Sequence, residues 1–302
     1  MIGIVGGGAF GTALAIALGR EGRAVTLWMR DLASMGARLP AAVLPQSVSV
    51  TADLADLAGT RAVLLALPMQ ALAGFLAGAV LPQVPLVACC KGIDLTTLRG
   101  PVAVISSACP GNPVAILTGP SFAADIARGL PTALTLAGDE AEALQHLLST
   151  PALRLYRSTD VIGAELGGAL KNVVAIAAGV VIGAGLGESA RAALMTRGYA
   201  EMTRLALTLG ARAETLAGLS GFGDLVLTCT STQSRNLRFG MALGSGAAFD
   251  PAITVEGAAT ARAVVRMTQD MPITAMVAAL IDRQIPLDQA ISNLMSRPLK
   301  QE

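Results

Sequence analysis

Aromatic residues make up only 3% of the 302-residue chain, with a single Trp, two Tyr and six Phe, so Ala, Val, Leu and Ile must fill its interior. A core of small aliphatic side chains packs closely, but each contact removes less area from water. Charge is also scarce, at 14% of residues, and nearly balanced: 22 Lys and Arg stand against 21 Asp and Glu, with no basic block able to neutralise consecutive backbone phosphates. A nucleic-acid partner is therefore not expected. His146 is the only histidine, which excludes multi-histidine metal centres and weakens any Ser-His or Cys-His nucleophile. It lies in HLLS, on a predicted surface helix. Cys89, Cys90, Cys109 and Cys229 have neither metal-ligand spacing nor a disulfide framework, so no metal is expected and reduced thiols in the cytoplasm fit best. The opening MIGIVGGGAF carries no basic leader, and glycines break its apolar stretch, so an export signal is not expected. The longest later apolar tract, residues 172–187, is short for a membrane span and reads as a buried domain helix, without stable membrane insertion.

What is abundant is hydrophobic and small: 53% hydrophobic residues, 33 glycines and a mean hydropathy of +0.61, enough for a large core shared between two domains. Residues 1–5 read as a strand, 6–11 as a turn, 12–20 as a buried helix and 24–28 as a second strand. Further apolar runs at 62–67, 86–89, 114–117, 132–136 and 151–156 predict later strands of a largely parallel sheet. Helices are predicted over 69–79 and 139–149, whereas 95–112 is rich in Gly and Pro and poorly patterned. After Asp160 the period becomes helical, with segments at 161–183, 188–209, 234–243, 256–268, 274–283 and 288–296. The pattern is thus an α/β domain around a largely parallel sheet, 1–160, followed by a helical domain, 161–302.

Gly6, Gly8 and Gly11 form Gly-x-Gly-x-x-Gly between strand and helix. Gly6 suits the tight turn, Gly8 leaves room for pyrophosphate and Gly11 allows close helix packing, while the helix amino end offers N–H groups to the anion. With 33 glycines in the chain the pattern alone is weak, but strand, turn and helix coincide here. The second strand leads to Arg30 and Asp31 where an acidic ribose partner is usual. Arg30 can meet a 2'-phosphate, favouring NADP(H) or dual use with NAD(H); Asp31 can reach the ribose or cap the next segment.

Polar residues concentrate in CCKGID (89–94), GPSFA (119–123), ELGGALKNV (165–173) and GFGDLVLTCTSTQSRN (221–236). Lys91 follows a strand, at the sheet edge where cofactor and substrate meet, and Gly119 and Ser121 occupy a similar turn. Lys171 is the leading proton-transfer candidate, since an ammonium ahead of a long uncharged helix is partly buried and can serve a developing alkoxide. Its competing use is to cap a domain junction. Asn172 can brace that lysine or bind hydroxyls. Asp224 needs a partner in its apolar setting, either Lys171 or a substrate hydroxyl, unless it caps a short helix. Arg235 and Asn236 suit a phosphate and its neighbouring hydroxyls, with Ser234 as a donor or helix cap. Glu256 opens a helical run, as a cap or a cofactor contact.

Taken in order, IVGGGAFGTALA, LWMRD, CCKGID, LTGPSFA, RSTDVIGAELGGALKNVVAIAAG, TRGYAEMTRL, GLSGFGDLVLTCTSTQSRN, VEGAATA and MPI closely resemble the bacterial soluble NAD(P)-dependent glycerol-3-phosphate dehydrogenases, over nearly the whole chain. The resemblance implies an α/β Rossmann dinucleotide-binding domain followed by an all-helical carboxyl-terminal domain, in a homodimer, and reversible reduction of dihydroxyacetone phosphate to sn-glycerol 3-phosphate, the glycerophospholipid precursor. It implies proton transfer by Lys171 and substrate contacts from Lys91, Gly119, Ser121, Asp224, Ser234, Arg235 and Asn236. Cofactor contacts are implied at Ala9, Phe10, Arg30, Lys91, Ala123, Arg235, Val255 and Glu256. The chain departs from the family at Ala9, where Ser is frequent, at Phe10, where Trp or Tyr is common, and across 31–50 and 98–112. Two other readings remain: a different two-domain dehydrogenase, acting on a phosphosugar acid or 3-hydroxyacyl group, and a nonenzymatic dinucleotide sensor.

Overall fold

The structure, a computed structural model, describes residues 1–34, 39 and 42–295. Eight described strands join in one sheet: β1 (Ile2–Val5), β2 (Val25–Trp28), β3 (Val48–Thr51), β4 (Val63–Leu65), β5 (Leu86–Ala88), β6 (Val114–Thr118), β7 (Thr132–Gly138) and β8 (Leu153–Ser158). Their order is β3-β2-β1-β4-β5-β6-β7-β8. The first six are parallel, a doubly wound arrangement whose direction of winding reverses between β1 and β4. Between strands run α1 (Ala9–Arg20), α2 (Met69–Leu76), α3 (Pro101–Ala108), α4 (Ala123–Arg128) and α5 (Ala141–Leu148).

Alternation along the strands splits their residues between two cores. Ile4, Leu64, Val87 and Leu117 face one cluster, while Val5, Leu65, Ala88 and Ile116 face the other. Both faces are covered, which is why the strands read as continuous apolar runs rather than as half-polar ones.

β7 reverses direction and pairs antiparallel with β6, and β8 then runs parallel to β7. The reversal follows from a short connection. Between β6 and β7 the chain makes only α4, whose Ile126 and Ala127 pack on Ala13, Ile16 and Ala17 of α1. With no crossover to the opposite edge, the next strand returns down the sheet.

Beyond β8 the chain is helical: α6 (Val161–Gly183), α7 (Gly187–Thr208), α8 (Ala213–Ala217), a π-helical turn (Leu219–Gly223), α9 (Asp224–Thr230), α10 (Arg235–Ser245), α11 (Glu256–Met267), α12 (Pro272–Ile281) and α13 (Leu287–Met295). α6 is the axis of this half. Its first turns, Val161 and Ala164, lie in the sheet's core, and its later residues form the centre of the helical cluster. It alone among the described helices is long and apolar enough to cross a membrane, yet 89% of that stretch is buried within the protein.

Glycines set how close the helices come. A Cβ on Gly179 would stand 2.1 Å from the Leu237 carbonyl oxygen, and one on Gly240 2.0 Å from that of Ile176. No side chain fits there, so α6 and α10 meet backbone to backbone.

The structure departs from the sequence reading in several places. Residues 95–112 contain α3, whose Gly100 cap and Pro101 at its first position are a regular helix start that masks its short pattern. Strand β3, α4, α8, the π-helical turn and α9 were not anticipated. Part of the atypical 31–50 segment, residue 296 of the last predicted helix and the chain end to 302 lie outside the described residues.

Candidate active site

The Gly6–Gly11 loop leaves the carboxyl end of β1 at the switch point. Gly6 has φ +117°, and a Cβ there would lie 2.6 Å from the Ala66 carbonyl oxygen, while a Cβ on Gly11 would lie 2.0 Å from that of Gly6. Only glycine fits either position. Gly8 faces open space, with no heavy atom within 4 Å of where its Cβ would be, and it begins α1 without a side-chain cap. A bare helix amino end beside an open glycine suits a pyrophosphate held by backbone N–H groups, so the residues fit a dinucleotide. Phe10 and Ala123 border the same small apolar cluster between α1 and α4. Arg30 is exposed just after β2, next to Met29, on which Gly7 packs. Asp31 serves as a local cap, accepting from Ala33 N at 3.0 Å.

Across the carboxyl edge, three charges meet. Lys91, from the β5–α3 segment, reaches Asp224 at 2.5 Å and donates to the Gly119 carbonyl at 2.9 Å. Lys171, from the middle of α6 rather than ahead of a helix, stands 3.0 Å from the other Asp224 oxygen and donates to Thr228 Oγ1 at 2.6 Å. Asp224 is 1% exposed and Lys171 6%. Asp224 opens α9 directly after the π-helical turn, so its carboxylate pairs with lysines instead of capping its own helix. Two ammonium groups sharing one carboxylate leave the cluster with one net positive charge, suited to an anionic oxygen. Burial lowers the Lys171 pKa from 10.5 to about 8, against the opposing pull of Asp224 and with the help of Lys91.

A second set lies along α10 and α11. Ser234 caps α10, its hydroxyl accepting from Leu237 N at 3.1 Å. Asn236 donates to Asn172 Oδ1 at 2.8 Å and accepts from Gly257 N at 3.0 Å, so Asn172 braces Asn236 and not Lys171. Arg235 is exposed at the start of α10 and acts on Glu256, whose carboxyl is raised by burial and partly restrained by Met69 N–H and Arg235. Glu256 follows Val255 at the start of α11 and accepts from Met69 N at 3.3 Å, tying the helical half to the β4–α2 turn beside the glycine loop. Ser121 Oγ lies 3.3 Å from the Gly119 carbonyl.

Sequence reasoning missed three neighbours. Thr228 bonds both Lys171 and Asp224, the latter at 3.2 Å. Thr118 carries a buried hydroxyl without a partner, where a Cβ on Gly168 would meet it at 2.6 Å. Glu165 sits on α6 with its carboxyl pushed up to about 7 by burial. Its signal was present: Glu165 and Lys171 are the only charges in the 23 residues of α6.

A doubly wound sheet with an anion-ready glycine loop at its switch point, in a chain whose helical half holds a buried lysine of lowered pKa, defines a two-domain dinucleotide-dependent dehydrogenase. Family profiles described as NAD-dependent glycerol-3-phosphate dehydrogenase N-terminus and C-terminus match residues 1–144 and 160–292. The chain is 69% identical to a glycerol-3-phosphate dehydrogenase [NAD(P)+] of Cereibacter sphaeroides over 312 residues, covering all of both chains. It is 60% identical to one of Paracoccus denitrificans, over 100% of this chain and 99% of the relative. The crystal structure of a glycerol-3-phosphate dehydrogenase from Coxiella burnetii is 35% identical and superposes with a TM-score of 0.92, covering 98% of each chain. The chain belongs to the NAD-dependent glycerol-3-phosphate dehydrogenase family.

Proposed function

We propose that this chain reversibly reduces dihydroxyacetone phosphate to sn-glycerol 3-phosphate with NADPH or NADH, and that Lys171 gives the carbonyl oxygen its proton. The carrying observation is the Lys171–Asp224–Lys91 cluster: a buried ammonium with a pKa of about 8, held by a carboxylate that a second lysine also engages. When bound, the nicotinamide supplies the hydride in reduction and accepts it in the reverse direction. Negative charge then grows on the substrate oxygen, and the cluster's net positive charge stabilises it while Lys171 transfers a proton. In oxidation the neutral amine takes that proton back. Asp224 and Thr228 aim the amine, and Lys91, with Gly119 and Ser121 beside it, holds the substrate's polar end.

Arg235, Asn236 and the Ser234 cap take the phosphate, with Asn172 and Gly257 fixing the orientation of Asn236. Gly6, Gly8, Ala9, Phe10 and Gly11, together with Ala123, Val255, Glu256, Lys91 and Arg235, surround the dinucleotide, and Arg30 meets a 2'-phosphate. The division of labour falls at residues 160 and 161, between β8 and α6. The product feeds glycerophospholipid synthesis. The spacing of the four cysteines, which suits neither a metal site nor a disulfide framework, supports a reducing, cytoplasmic setting, and the family resemblance supports a homodimer.

The test is a steady-state assay of reduced-nicotinamide absorbance with dihydroxyacetone phosphate and each reduced cofactor in turn. Substrate-dependent oxidation is expected with at least one; none, in folded protein, rejects the enzymatic reading. Lys171→Ala with near-normal turnover at saturating substrate rejects the proton-transfer assignment.

A further inference from the structure

The two lysines of the active site stand on different parts of the chain. Lys171 is on α6, whereas Lys91 is on the segment between β5 and α3. Their spacing depends on what ties that segment to α6. The segment is braced on its outer side: Gln70 of α2 bonds Ile93 O at 2.8 Å and Leu95 N at 3.0 Å, and Arg266 of α11 reaches Leu95 O at 2.5 Å. Asp94 caps its internal turn through Thr96 N and Thr97 N, and Leu98 there adopts a left-handed φ of +57°.

On the inner side Ile93, Leu95 and Leu98 pack into the helical cluster with Leu166 and Leu170 of α6, and the hydrogen-bonded tie is a carboxylate. Glu165 Oε1 accepts from Val102 N at 2.7 Å, in the first turn of α3. Helix α3 has no cap of its own, since Gly100 offers no side chain and Pro101 no N–H. The absence of a Cβ on Gly100 is what admits the carboxylate, because a Cβ would lie 2.5 Å from Glu165 Oε2. Glu165 thus caps a helix of the sheet domain from the axial helix of the other half, and its negative charge is favoured at a helix amino end. Three residues on, and so on the same face of α6, Gly168 lies against Lys91: a Cβ there would make ordinary contact with Lys91 Cγ at 3.6 Å but would crowd Thr118 Oγ1 at 2.6 Å.

We infer that Glu165 is a positioning residue for the reaction: its ionised carboxylate clamps the start of α3 onto α6 and so holds Lys91 in register with Lys171 across Asp224. The inference rests on the reaction proposed above. It also has a titratable consequence, because burial raises this carboxyl to about 7, with only the Val102 N–H pulling it back. The groups around it carry no opposing cation among the described residues. From the β5–α3 segment comes the Cys90 thiol, itself pushed up by burial and by Glu165; Arg99 turns to Ser107 on α3, and Lys91 turns to Asp224. Protonation below neutrality removes the charge that favours the helix end and weakens the clamp.

The experiment compares the pH profiles of kcat/KM for dihydroxyacetone phosphate reduction in wild type, Glu165→Gln and Glu165→Ala. Wild type should rise through a limb near pH 7 and fall through one near pH 8. Glu165→Gln keeps an acceptor for Val102 N but no charge, so it should lose the rising limb and stay near the acid-side level of wild type at every pH; the limb from the substrate phosphate, near ~6, stays in every variant. Glu165→Ala should lose about tenfold or more in kcat relative to wild type above neutrality, with Glu165→Gln, which keeps the hydrogen bond but not the charge, falling between the two. An unchanged rising limb in active Glu165→Gln overturns the inference while leaving the proposed reaction intact. The wild-type protein provides a readout independent of activity and of the folding of either variant: hydrogen exchange at the Val102 amide. Beyond the intrinsic pH effect, protection there should fall as pH drops below 7, and protection without such a change overturns the clamp even if no turnover is found.

Discussion

Replacing Asp224 by Asn tests the electrostatics of the site most directly. Asp224 Oδ1 lies 3.0 Å from Lys171 Nζ, an attraction of about 5 kcal/mol at an effective dielectric near 20. The partial negative charge kept by the Asn oxygen and water drawn to the amine offset roughly half of that figure in the variant, leaving a loss of about two pKa units at ~1.4 kcal/mol each. The amine, at about 8 in the native protein, would then titrate near ~6. For reduction the ammonium is the competent form, so wild-type kcat should fall as pH rises through about 8, and for oxidation it should rise through the same point. In Asp224→Asn both limbs should move about two units toward acid, and reduction near pH ~8 should drop by one to two orders of magnitude. The assay is the absorbance of the reduced cofactor, followed in both directions across the pH range at saturating substrate. If the limb stays near 8 in Asp224→Asn, either Lys171 does not produce it or Asp224 does not set it, and the charge argument fails.

Cofactor choice is tested separately. Arg30→Ala should raise the KM for NADPH about tenfold or more and barely change that for NADH, whereas equal effects would reject a 2'-phosphate contact. At the α6–α10 crossing, Gly240→Ala places a methyl 2.0 Å from the Ile176 carbonyl oxygen. Forcing the helices apart should cost about 2–4 kcal/mol of stability by urea unfolding, and it should weaken substrate binding through the Asn172–Asn236 bond; a variant as stable as wild type would refute backbone contact there.

Most strands and long helices were legible because fully covered parallel strands and buried helices leave continuous apolar runs bounded by Gly, Pro and charge. The glycine loop was legible for the same local reason: its strand, turn and helix are neighbours in sequence. The short elements were not. α3, α4 and α9 each span eight residues or fewer, too short for a helical period to stand out, and Gly and Pro at their edges resemble loop composition. The direction of β7 was equally hidden, since an apolar run reads the same whichever way the strand lies.

The candidate residues were found one at a time, from charge placed in apolar surroundings; of their partnerships, the Lys171–Asp224 pair was among the readings offered, and the rest were not. Lys91 was expected to meet substrate, yet it also takes the Asp224 carboxylate, for which the sequence offered Lys171, a substrate hydroxyl or a helix end. Those two partners are 133 residues apart, so no spacing rule joins them. Of the two uses expected of Asn172, bracing the lysine beside it or binding hydroxyls, the first does not hold: on a helix successive residues face different directions, and it turns to Asn236 instead.

By itself, then, the sequence determined the dinucleotide loop, the change from sheet to helices after Asp160 and the short set of polar residues worth testing. These are written in local pattern, where neighbouring residues share one strand, turn or helix. Only the tertiary structure decided that two lysines share one buried carboxylate, that burial carries Lys171 to a pKa of about 8 and that Glu165 of one half caps a helix of the other. Desolvation and charge pairing depend on which surfaces meet in space, and that is fixed by packing between segments far apart along the chain.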